Sequence, residues 1–99
     1  MLTVYDFKLY PKDKGRLISE LKRAFDAYDA DKMENVEFLK LIGHYRECSE
    51  FKKWLGQEES SPPGEFKVDA STKKQLGVQR SNRLELILNT APFLSDNEE

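Results

Sequence analysis

The sequence predicts a small α-rich α+β domain: three to four helices and a short two-stranded β pairing. Three observations carry that expectation. Two long stretches, residues 12–28 and 35–47, repeat their apolar residues at helical spacing. A third, 72–90, does the same behind a cluster of cations. Two short segments, 2–9 and 65–69, are instead rich in β-branched and aromatic residues.

In chain order, "LTVYDFKL" alternates Tyr5, Phe7 and Leu9 with Asp6 and Lys8, the period of a strand, and stops at Pro11. "KDKGRLISELKRAFDAY" places Leu17, Ile18, Leu21, Phe25 and Tyr28 on one helical stripe, with Arg16, Glu20, Lys22 and Arg23 on the wet face. After "DADK", residues 35–47 carry two apolar lines: Val36, Leu39 and Ile42, then Phe38, Leu41 and Tyr45. Two lines predict a helix packed on more than one side, with a surface for a symmetric homodimer. Ser49 is placed to cap a short helix bearing Phe51, Trp54 and Leu55. "EFKVD" predicts a strand that pairs with the N-terminal one, because a lone strand leaves its backbone groups unsatisfied. The expected core contains Leu17, Leu21, Phe25, Leu39, Ile42, Trp54, Leu84 and Ile87.

The 99 residues make one domain, 1–95, with an internal Pro/Gly/Ser linker at 57–65 and an acidic tail at 96–99. A net charge of −2 with 34% charged residues argues against binding a polyanion by bulk charge, so nucleic-acid contact needs a local patch. No stretch has the length of a membrane span, and "MLTVYDFKLY" lacks the basic flank of a signal peptide. One cysteine, Cys48, fits a reducing compartment, and the expected location is the cytoplasm.

The local patch lies in "STKKQLGVQRSNRLELIL", residues 71–88, where Lys73, Lys74, Arg80 and Arg83 precede the first acid, Glu85. In one unbroken helix, Arg80 and Arg83 fall on the stripe that Leu76, Leu84 and Ile87 need to bury, and an unpartnered buried guanidinium is costly. Three outcomes resolve the conflict. The helix breaks at Gly77, the arginines pair with acids such as Asp26 or Glu37, or this end is exposed and held for a ligand. These four cations are the candidate partner or nucleic-acid contact.

The same stretch resembles the turn of helix-turn-helix proteins, in which a Leu-Gly-Val turn precedes a Ser/Arg-rich recognition helix. It departs from that motif at Lys73, where a small residue is usual, and at Arg83, where an aliphatic one is. "YPKDKGRLISELKRAFDAY", "DKMENVEF" and "KKQLGVQRSNRLELIL" together resemble a group of small proteins from Gram-positive bacteria and their phages, through Asp26, Tyr28, Leu76, Gly77, Arg80, Leu84 or Ile87, and Leu88. That resemblance implies an origin rather than an activity, and the insert with Pro62, Pro63 and Gly64 departs from it.

Other chemistry is thinly supplied. "DADKMENVEFLK" offers Asp29 and Asp31 at the first and third positions of a calcium loop, but Met33, Glu34 and Lys40 occupy the remaining key places. His44 and Cys48 are four apart on a helix, with no other His or Cys to complete a zinc site. No phosphate loop or nucleophile elbow is present. The expectation is therefore not an enzyme and no cofactor. It is a non-enzymatic binding or regulatory protein of phage or prophage origin, an inhibitor or adaptor of a host protein. The alternative is a degenerate helix-turn-helix transcriptional regulator that binds DNA.

Overall fold

The computed structural model describes residues 1–56 and 66–90. They form five helices: α1 (Lys14–Asp29), α2 (Asn35–Glu47), α3 (Lys52–Leu55), α4 (Ala70–Leu76) and α5 (Val78–Thr90). A single turn of 3-10 helix, Val4–Asp6, precedes them. No strand occurs among the described residues, and the one β-type contact is an isolated parallel bridge between Leu2 and Met33. The α+β expectation is thus corrected to an all-α fold.

The physical reason is that both presumed strands find their hydrogen-bond partners on helices. In the N-terminal segment, the Val4 amide donates to Glu37 Oε1 (3.2 Å) and the Lys8 amide to Glu20 Oε1 (3.0 Å). The Lys8 carbonyl accepts from the Tyr45 hydroxyl (2.5 Å) and the Leu9 carbonyl from His44 Nε2 (2.8 Å). Residues 66–68 are served by α5: Asn89 accepts from the Phe66 amide (2.7 Å) and donates to its carbonyl (2.9 Å), while Glu85 accepts from the Val68 amide (2.7 Å). Neither segment therefore needs the other, although the logic that an extended chain must satisfy its backbone holds. Thr3 and Asp6 also form a capping box that curls the strand candidate into a turn and leaves Tyr5 outside.

Leu17, Leu21, Phe25, Ile42 and Leu84 are buried as expected, whereas Leu39, Trp54 and Ile87 are only half-buried. Phe38, Leu41, Tyr45, Phe51, Phe66 and Leu88 are also buried, as is Phe7 from the N-terminal segment. Of the two apolar lines of α2, Phe38, Leu41 and Tyr45 are buried together with Ile42, whereas Leu39 is half-buried and Val36 exposed. Gly56, at φ +108°, ends α3 so close to Lys67 that a Cβ would lie 2.0 Å from its carbonyl oxygen. This contact starts the second extended segment. The expected linker 57–65 and acidic tail lie outside the described residues.

Candidate interaction surface

The cationic stretch forms two helices rather than one. Asp69 starts α4 by accepting the Thr72 amide on Oδ1 (2.8 Å), and its Oδ2 takes the Lys14 ammonium at the head of α1 (2.6 Å). The Lys14 hydrogen bond and then the Thr72 bonds hold the Asp69 carboxyl down to about 2. Gly77 ends α4 at φ +105°, a conformation open to glycine and strained for other residues. The chain turns helical again at once, and the Ser81 amide returns to the Gly77 carbonyl (2.9 Å).

Beyond the break, Leu84 and Leu88 face the core, and Arg80 and Arg83 fall at its rim against the end of α1. Arg80 Nη2 bonds Asp26 and lies 3.8 Å from Asp29 Oδ2, while Arg83 Nη1 donates to Asp29 Oδ1 (3.1 Å). Both guanidiniums cover the Phe25 ring, at 5.7 and 5.2 Å, and Arg83 also covers Tyr28 at 5.4 Å. Tyr28 in turn stacks on Phe38 (4.7 Å) and donates its hydroxyl to Asn35 (3.0 Å). The arginines thus roof an aromatic cluster, a cation–π arrangement that fixes α5 on α1. Two of the three outcomes open in the sequence occur together: the helix breaks, and the arginines pair with acids.

The candidate contacts are therefore not one patch. Arg80 and Arg83 are committed inside the fold. Lys74 is exposed and Lys73 half-exposed, and neither ammonium bonds or pairs with a described residue. The connection between α4 and α5 is a single residue, shorter than the three- to four-residue turn of a helix-turn-helix.

A different surface comes from the N-terminal segment. Tyr5 and Tyr10 are 84% and 68% exposed, while Phe51 is buried and Trp54 stacks on it at 5.5 Å. The tyrosines are thus the part of the aromatic supply that the described core does not use. Tyr10 packs edge-on against His44 (5.2 Å), and Lys8 and Lys12 are exposed beside it in the chain. The outward placement of Tyr5 follows from the Thr3–Asp6 capping box.

His44 and Cys48 do not converge on a ligand. His44 Nε2 is taken by the Leu9 carbonyl, and the Cys48 thiol, raised first by burial, points to Glu50 at 3.8 Å. A surface groove of about 550 Å³ at the turn that joins α1 to α2 is lined by Met1, Tyr28, Asp29, Asp31, Met33, Glu34 and Asn35. Among the described residues no group of three or more His, Cys, Asp or Glu side chains is placed to hold a metal ion. No described helix is long and apolar enough to cross a membrane. No family model matches the chain, and neither a curated protein nor a solved structure matches it.

Proposed function

We propose that this is a non-enzymatic binding protein acting through protein–protein contact, with Tyr5, Tyr10 and the neighbouring lysines as the contact face. The observation that carries the reading is the commitment of Arg80 and Arg83 to Asp26 and Asp29. It removes half of the local cations from the phosphate-binding set of a chain with net charge −2. Exposed tyrosines are, by contrast, residues that protein interfaces favour as anchors, and the flanking lysines suit only the polar rim. The resemblance of residues 10–28, 31–38 and 73–88 together to small proteins of Gram-positive bacteria and their phages motivates a phage or prophage origin and a host protein as the partner, inhibited or adapted.

The DNA-binding alternative draws on one observation, the break at Gly77 that produces two helices from the motif-like stretch. It needs Arg80 and Arg83 outward, where they could reach phosphates. Capture from a bacterial lysate separates the two readings. The wild-type protein is expected to retain a protein partner after nuclease treatment, and Tyr5→Ala/Tyr10→Ala is expected to lose it with an unchanged melting temperature. Retention that disappears with nuclease, or a gel shift on duplex DNA at nanomolar protein and physiological salt, would overturn the reading in favour of the regulator.

A further inference from the structure

The N-terminal segment lies in the fold as a peptide lies in a receptor. Five of its backbone polar atoms are bonded by side chains of α1 or α2. Glu37 and Glu20 accept the Val4 and Lys8 amides. Arg23, Tyr45 and His44 donate to the carbonyls of Asp6 (3.3 Å), Lys8 and Leu9. A sixth bond joins the Leu2 amide to the Lys32 carbonyl (2.8 Å). Contacts to the main chain are indifferent to side-chain identity, which is how peptide-binding grooves obtain affinity without selecting a sequence. Side-chain selection is concentrated at Phe7, the one buried apolar side chain of residues 2–10, with the Arg23 guanidinium 4.8 Å over its ring. Leu2, Val4 and Leu9 are half-buried around it.

We infer that the face of α1 and α2 that receives residues 2–9 is a groove for a peptide carrying a phenylalanine just after a single helical turn, and that residues 2–9 occupy it as a displaceable internal ligand. The partner's segment would take the same five side-chain contacts and seat its phenylalanine where Phe7 sits. Without an occupant, Tyr45 would face the cleft with a buried hydroxyl that nothing else bonds, and Glu20 would lose its amide donor. Burial also keeps the Tyr45 phenol protonated, so it remains a donor to any main-chain carbonyl brought there. The tethered segment competes at the high effective concentration of an intramolecular ligand, so the groove is closed at rest. The inference rests on the protein-binding reading and does not depend on Tyr5 or Tyr10.

The test uses the full chain and a fluorescein-labelled synthetic peptide of residues 1–11. Phe7→Ala weakens the internal ligand and should bind the peptide saturably, at least tenfold more tightly than the wild-type chain does. A peptide with alanine in place of its phenylalanine should bind neither. Absence of binding to folded Phe7→Ala, or equal binding of the two peptides, would overturn the inference. A concentration-dependent dimer by light scattering that leaves the peptide no vacant groove would also overturn it, assigning the cleft to the segment of a second copy. Native-state hydrogen exchange on the wild-type chain needs no variant. The Val4 and Lys8 amides should open at lower free energy than the Ile42 amide, and opening only together with α2 would overturn displacement. Failure of the lysate capture leaves these readouts intact, so the two readings fail separately.

Discussion

The two ends of α1 are gripped by neighbouring helices through ion pairs of opposite polarity. At its head, α1 offers a lysine: Lys14 meets Asp69, the residue that caps α4. At its tail, α1 offers the acids: Asp26 and Asp29 meet Arg80 and Arg83 of α5. The head pair stands alone, whereas the tail pair lies over Phe25 and Tyr28, where the guanidinium stems also cover apolar surface. Charges that read as one cationic run in the sequence thus serve different purposes. The arginines lock the helix they stand on, and Lys73 and Lys74 play no part in either grip. A run of charge in a sequence is a count of groups, and tertiary pairing decides how many remain available to a partner.

Separating the two grips requires the kink between α4 and α5, so the largest effect is expected there. Gly77→Ala should cost about 2 kcal/mol, since it forces a side chain into a backbone region reserved almost wholly for glycine. No neighbouring atom lies within 4 Å of the added methyl, so the loss is backbone strain alone. Chemical denaturation measures it. A neutral result would mean that the kink is not needed to bring Arg80 to Asp26.

Arg80→Ala should cost about 1–2 kcal/mol, seen as a lowered melting temperature. The value lies below the roughly 3–5 kcal/mol of a broken buried pair, because the Asp26 side chain is 68% exposed and water screens it. The cover lost from Phe25 keeps the cost above that of an ordinary surface pair.

The head grip should answer to acid. A carboxyl depressed in the folded state stabilises fully above its unfolded value near ~3.9, and that contribution is lost as pH falls through the folded value. For Asp69 the loss runs from about pH 4 down to about 2. Asp69→Asn keeps a capping acceptor but not the charge facing Lys14, so it should cost less than about 1 kcal/mol at neutral pH. Urea midpoints for the two proteins should converge near pH 2, and a difference that persists there would assign the effect to the cap instead. Lys73→Ala and Lys74→Ala should each stay within about 0.5 kcal/mol of wild type.

Much of this arrangement was legible in the sequence, and the part that was not has a common cause. The bounds of α2 follow from the apolar spacing of residues 35–47, and α1 ends where "DADK" interrupts the stripe. The conflict between Arg80, Arg83 and the Leu76–Leu84 line could be seen, and Asp26 was among the partners named for it. Arg80 and Asp26 are 54 residues apart, so no local rule chooses between that pairing and an exposed cluster. The two strands were misread for the same reason. A β-rich pattern indicates an extended chain, but the groups that satisfied its backbone were Glu20, Glu37, Tyr45, Glu85 and Asn89, distant side chains on helices. Only the Thr3–Asp6 capping box was a local sign that Tyr5 would turn outward.

The central claim is that the arginines of the cationic stretch hold α5 to α1 instead of waiting for a ligand. A double-mutant cycle between Arg80→Ala and Asp26→Ala, measured by urea denaturation at low salt, tests it most directly. The account predicts a coupling of about 0.5–1 kcal/mol that shrinks as salt is added. Strict additivity of the two substitutions, together with an unchanged melting temperature for Arg80→Ala, would contradict it.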